Sequence, residues 1–189
     1  WRPALLGRPT VTVRKNIPNA DENFYTWEIT GTRRMSNRWS MLASFSHTWD
    51  RPNVVPLNPN DLQQTDGKGT HQFTDWAAKL HGTWEAPWGL KITPILRHQS
   101  GATFGRTFTA TLNYGSVTMR PEGRNARRND NVTLVDARVE KVVRLPRNAR
   151  VSGFIDLFNM FNVNPIQNIT STSGSNFLRP SNIVPPRLL

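Results

Sequence analysis

Six stretches of this chain alternate apolar and polar side chains with a period of two, each over about 11 residues. Successive side chains of a strand point to opposite faces, so the pattern predicts ribbons with one apolar and one polar face. From Phe24 to Arg34, Tyr25, Trp27, Ile29 and Gly31 share one face, and Thr26, Glu28, Thr30 and Thr32 the other. From Trp39 to Trp49, Trp39, Met41, Ala43 and Phe45 oppose Ser40, Ser44, Ser46 and Thr48, with Leu42 out of pattern. From Thr74 to Glu85, Trp76, Ala78, Leu80, Gly82 and Trp84 oppose Asp75, Lys79, His81, Thr83 and Glu85. Leu90, Ile92, Pro94 and Leu96 share a face between Leu90 and Ser100, although Pro94 cannot donate to a ladder. Between Val132 and Leu145, Val135, Ala137, Val139 and Val143 oppose Asp136, Arg138 and Glu140. From Arg150 to Phe161, Val151, Gly153, Ile155 and Leu157 share a face. Upstream, residues 1–23 predict a polar loop or partial strand, with Thr10 to Val13 as its extended piece.

Connection length decides how such ribbons assemble. Tight turns at Met35–Arg38, Pro87–Gly89 and Pro146–Asn148 alternate strictly with long connections over 50–72, 101–131 and 163–185. A soluble sandwich has no reason to keep every long loop at one end of its strands. Barrels of the outer membrane do, with tight periplasmic turns and long extracellular loops. Ribbons of about 11 residues also match the roughly 9–11 tilted residues needed to cross a bilayer and exceed the globular mode of about 5–6. The expected fold is therefore all-β: an antiparallel up-and-down transmembrane β-barrel segment, incomplete, with about six full strands and the start of a closing one.

The aromatic residues give an independent check. Trp39 and Trp49 lie ten positions apart on one face of one ribbon. At roughly 3.3 Å per residue and a tilt near 40°, that separation projects to about 25 Å, the height of the apolar band between the aromatic girdles of such barrels. Trp84 and Trp88 fall beside a short turn as Trp39 does, whereas Tyr25, Trp27, Trp49 and Trp76 fall toward the long connections. All seven are expected at the membrane interface. In a soluble sheet the same rings would instead form a core between two layers.

Composition excludes several other classes. No cysteine is present, which removes disulfides, iron–sulfur clusters and thiolate metal sites. No apolar run reaches the length of a membrane-spanning helix, and no apolar signal segment follows Trp1, as expected for a mature product or a fragment. The net charge of +11 invites a nucleic-acid reading. The arginines, however, are scattered over strand ends and loops, and no zinc-finger, RRM or KH signature gathers them. His47, His71, His81 and His98, separated by 24, 10 and 17 residues, match no common metal spacing. No catalytic constellation, metal site or cofactor is expected.

Three segments carry a resemblance. Gly123 to Arg127, then Asp136-Ala137-Arg138-Val139-Glu140-Lys141, then Phe154-Ile155-Asp156-Leu157-Phe158-Asn159-Met160-Phe161-Asn162, resemble the C-terminal barrel of TonB-dependent receptors. The nearest subgroup is the Oar-like barrels with a carboxypeptidase-regulatory-like N-terminal domain. The motif residues are Asp156, Asn159, Phe161 and Asn162, and the resemblance covers residues 24–189. It implies that Arg150 to Phe161 is the penultimate strand of a barrel of about 22 strands. It further implies that 163–185 is the last extracellular loop and that Pro186 to Leu189 begin the closing strand. The implied activity is import of a scarce ligand across the bacterial outer membrane, driven through a TonB complex that contacts an N-terminal region. The implied partners are membrane lipid, lipopolysaccharide, TonB and an unidentified ligand, with no nucleic acid.

Individual residues carry narrower expectations. Glu28, Lys79, His81, Asp136, Arg138 and Glu140 are expected to face a water-filled lumen, the last three as a charge ladder that satisfies itself. Arg120, Arg124, Arg127 and Arg128 sit in one loop and could hold phosphates of lipopolysaccharide or another anionic ligand, the alternative being a solvated loop. Asn159 and Asn162 are expected to fix the strand-to-loop transition by side-chain bonds to backbone. Lys141 points outward near a rim, where its stem can lie along lipid while the ammonium reaches water. An adhesion barrel without transport and a basic soluble β-protein binding nucleic acid or polysaccharide remain the alternatives.

Overall fold

The computed structural model describes residues 22–52, 72–113 and 115–188. The predicted extended piece Thr10–Val13 and most of the first long connection lie outside the described residues. Six long strands dominate: β1 (Glu22–Ser36), β2 (Trp39–Pro52), β3 (Phe73–Ala86), β4 (Leu90–Gln99), β9 (Val132–Arg144) and β10 (Arg150–Leu157). They pair in the order β1-β2-β3-β4-β9-β10, every pair antiparallel, to form one meandering sheet. Between β4 and β9 lie β5 (Thr103–Phe104), β6 (Phe108–Leu112), β7 (Gly115–Met119) and β8 (Arg127–Arg128); after β10 come β11 (Ile166–Ile169) and β12 (Pro180–Ile183). The described chain is thus all-β, and its sheet does not close: β1 and β10 are its two edges.

All three short connections use left-handed backbone. Asn37 and Arg38 have φ of 52° and 68°, and Arg147 and Asn148 have 63° and 58°. Two consecutive positive values suit the right-handed twist of flanking strands, which is why such turns close tight hairpins. Between β3 and β4 a single turn of 3-10 helix, Pro87–Gly89, does the same work, with Trp88 at φ 64° and Gly89 at 73°. Gly89 is required twice over, since a Cβ there would also stand 2.5 Å from the Val142 carbonyl oxygen. A bulge between Arg33 and Ser36 adds one residue to β1 just before its turn.

Cross-strand register carries the sequence alternation through the sheet. One row runs Gly31, Ala43, Leu80, Leu96, Val135, and the next on the opposite face runs Thr32, Leu42, His81, Ile95, Asp136. Leu42, out of pattern in sequence, does lie in the polar rows. Pro94 stays within β4, whose pairing with β9 is continuous; pairing with β3 lapses only opposite Gly82 and Thr83, and the register is the same on both sides of the gap.

Two expectations are corrected here. The last long strand ends at Leu157 rather than Phe161, because Asn159 and Asn162 take φ of 50° and 54° and break the ladder. The second and third long connections are not plain loops: β5 pairs β8, β6 pairs β7 and β11 pairs β12. The segment after β10 folds back over the polar face of β9. There Val184, 3 % exposed, packs with Val132 and Leu134 at 4 % and 8 %, and Val163 lies against them. These three are the entire buried apolar core among the described residues.

Candidate lipid-facing surface

The apolar face of the sheet is uncovered. No described tryptophan is among the buried residues, while 22 large hydrophobic side chains are exposed against three that are buried. Among the described residues the indoles therefore form no dry core between two layers. On this face the aromatic side chains fall into two bands. At the long-connection end Tyr25 is level with Trp49, and Trp27 with His47 and Trp76. Trp27 stacks on Trp49 at 6.2 Å, His47 lies 4.0 Å from Trp49 and His98 4.6 Å from Trp76. At the short-turn end Trp39 pairs with Trp84, and Trp88 stands in the adjoining turn, 82 % exposed.

Between these bands the apolar face holds one charged side chain among the described residues, Arg33, which is level with Met41 and turns toward the short-turn band. The rows of the face contain Ile29, Gly31, Met41, Ala43, Phe45, Ala78, Leu80, Ile92, Leu96, Val135, Val139 and Ile155, all registered as partners or neighbours. The cations of this face gather toward the turn-end rim. There the Arg33 guanidinium lies 3.9 Å over the Trp39 ring, and Lys141 Nζ donates to the Trp88 carbonyl. Their stems run along apolar surface while their charged heads sit at its border.

The polar face collects the six residues expected there. Glu28 pairs with Ser46, Lys79 with Ser44 and Arg97, and His81 with Leu42 and Ile95. The ladder of Asp136, Arg138 and Glu140 does not satisfy itself. Arg138 forks instead onto Asp156 across the strand pair, at 2.6 and 2.7 Å, with its guanidinium 4.4 Å over Phe154. A carboxylate two residues along the same strand is farther from the guanidinium than one directly opposite it. Asp136 turns to the chain reversal and accepts the Asn159 backbone N–H at 2.7 Å.

Asn159, 5 % exposed, organises that reversal. Its amide donates to the carbonyls of Val163 and Pro185, both at 2.8 Å, and its oxygen accepts the Val163 N–H at 2.9 Å. Asn162 accepts the Arg187 N–H at 3.0 Å. Together they bring Leu188 beside Phe158, where two backbone bonds of 2.9 and 3.2 Å form on the edge away from β9. Phe161, from the same motif, is exposed and contributes none of these bonds.

The four loop arginines do not converge. Arg127 forks onto Glu122 at 2.6 and 2.9 Å. That bond, reinforced by the charges of Arg127 and Arg106, holds the Glu122 carboxyl below the usual glutamate range. Arg128 donates to Asp75 at 2.8 Å, to the Gly101 carbonyl at 2.6 Å and to the Thr74 carbonyl, which pins the loop to the start of β3. Only Arg120 and Arg124 are outside the ion pairs among the described residues. A further node has no signal in the sequence pattern. Arg106 and Arg127 lie 4.6 and 5.5 Å from the Phe177 ring, Arg106 donates to Ser173, and Thr107 bridges Thr172. The second and third long connections therefore interlock at one end of the sheet. Beside them a cavity of about 430 Å³ is lined by Trp49, Arg51, Phe73, Asn125, Arg127 and Arg128.

Among the described residues no group of three metal-ligating side chains could hold an ion, and no helix is long and apolar enough to cross a membrane. Comparison with family models, with curated proteins and with solved structures finds no match to this chain.

Proposed function

We propose that this chain forms part of the wall, and part of the ligand-capturing loops, of an outer-membrane β-barrel transporter of the TonB-dependent kind. The carrying observation is the apolar face: a band bounded at both ends by aromatic side chains, with nothing packed on it among the described residues, whose one charge there, Arg33, turns over the Trp39 ring. Hydrocarbon covers such a band at no polar cost, and indole and phenol rings sit well at headgroup depth, one edge dry and one wet. The opposite face, with Glu28, Lys79, Arg97, Arg138 and Asp156, suits a water-filled lumen. In this role the segment does no covalent chemistry. Its wall holds water and ligand inside, and its interlocked connections give capture loops a fixed base.

Detergent dependence tests the membrane reading. The chain is expected to stay monodisperse only in detergent or lipid, and a monodisperse, folded sample without either would overturn it. Transport is tested in the full-length parent protein. Ligand-dependent uptake that disappears when the TonB-contacting segment is deleted supports it, and cell attachment without uptake favours an adhesion barrel instead.

A further inference from the structure

The short-turn end of the sheet carries much more positive charge than the pairing within it can absorb. The segments 33–39, 84–91 and 140–151 hold eight lysines and arginines against two glutamates, more than half of the chain's +11. None of the three ion pairs among the described residues involves any of them. Four of these cations, Arg38, Lys91, Arg144 and Arg150, surround a cavity of about 610 Å³ together with Glu85 and Glu140. Of the other four, Arg33 and Lys141 lie on the lipid-facing side, Arg34 in the bulge before the first turn and Arg147 in the third turn.

We infer that this outer rim binds the headgroups of anionic phospholipids in the leaflet that meets the short turns. The inference rests on the lipid-facing reading of the apolar face and adds a lipid preference to it. Two observations converge on phosphate at headgroup depth. Arg33 and Lys141 are each tied to the girdle, one over the Trp39 ring and the other to the Trp88 carbonyl, so both charges are held at the border of the band. Trp39, Trp84 and Trp88, 38, 50 and 82 % exposed, provide the amphipathic rings that settle among headgroups. Duplex nucleic acid would meet the same cations but would leave the adjoining apolar band in water.

Vesicle flotation of the intact chain, with tryptophan emission read in parallel, tests this. Vesicles of phosphatidylcholine alone are compared with vesicles containing about one third phosphatidylglycerol. Each basic residue near an anionic surface contributes severalfold to affinity, and salt screens that contribution. The anionic vesicles are therefore expected to bind on the order of tenfold more tightly at low salt. That preference should vanish in the combined Arg33→Gln, Arg34→Gln, Lys141→Gln, Arg147→Gln variant and persist in Arg120→Gln, Arg124→Gln, with unchanged circular dichroism certifying both folds. Equal binding to the two vesicles, with emission shifted to the blue in both, overturns the inference and leaves the membrane reading standing. Binding to neither removes both. An equal loss in the loop variant, or tight DNA binding by the wild type with no vesicle preference, also overturns it. Should the rim variant not fold, salt sensitivity of the wild type decides: a preference that survives high salt sinks the inference.

Discussion

A single asparagine can close a strand and start a loop when its side chain substitutes for the backbone partners that the ladder no longer supplies. Asn159 does this with three bonds to backbone groups of Val163 and Pro185, at φ 50°. Asn159→Ala strands those groups where water is scarce and places a Cβ residue without polar compensation in the left-handed region. A loss of about 2 kcal/mol or more is expected in urea unfolding from micelles. Asn159→Gly removes the bonds but not the backbone freedom and should recover roughly 1 kcal/mol of that; identical losses would mean that the hydrogen bonds alone matter. Face assignment is tested at the same scale. Leu80 stands in the middle row of the apolar face, level with Ala43 and Leu96. In an assembled barrel Leu80→Arg or Ala43→Arg should cost roughly 2–4 kcal/mol, as arginines do at a bilayer midplane. Thr30→Arg, beside Ser44 on the polar face, should cost less than about 1 kcal/mol. Equal penalties would reverse or abolish the two-face reading. These positions were legible in sequence because a period of two needs no long-range information.

At the scale of elements, hairpins and long connections differ in how much of them the sequence discloses. Asn37 and Asn148 are residues that tolerate left-handed backbone, so the first and third turns could be placed from composition. The loop interlock could not. Arg106 and Ser173 are 67 residues apart, Arg128 and Asp75 are 53 apart, and no periodicity relates them. One clue was present: Val132 and Leu134 are apolar in the polar register, which marks a stretch of the polar face that something must cover. The interlock makes two predictions. A Cβ at Gly105 would collide with the Gly123 carbonyl, so Gly105→Ala should loosen the second connection and raise hydrogen exchange at Arg127 and Arg128 while β1 to β4 keep their protection. The Glu122–Arg127 fork titrates with a defined sign. Because the folded carboxyl lies below its ordinary value, the fork's contribution is complete above the usual glutamate pKa and is lost as pH falls through the lowered one. The Arg127 Nε–H resonance should follow that loss, and Glu122→Gln should show no titration.

For the whole molecule, the described strands bury little apolar area against one another. Three buried apolar residues among the described ones offset only a small part of the ordering of six long strands. In the proposed membrane setting, hydrocarbon on one face supplies the missing burial, and it also removes water from every backbone group in the band, which only a paired ladder can survive. In that setting the edges β1 and β10 need partners, and the Phe158–Leu188 bridge sets a second segment against β10. This picture separates two sets of tryptic sites. Arg124 lies in a connection and Arg147 in a turn, both exposed, whereas Lys79 and Arg97 face each other in the middle of β3 and β4. Bilayer vesicles should shield Lys79 and Arg97 while Arg124 and Arg147 remain cut, because a protease cannot reach backbone inside the band. In urea without lipid, all four should be cleaved. A soluble sheet would protect its strand centres with or without vesicles, so it is the lipid dependence of that protection, read by mass spectrometry of the fragments, that decides between the two.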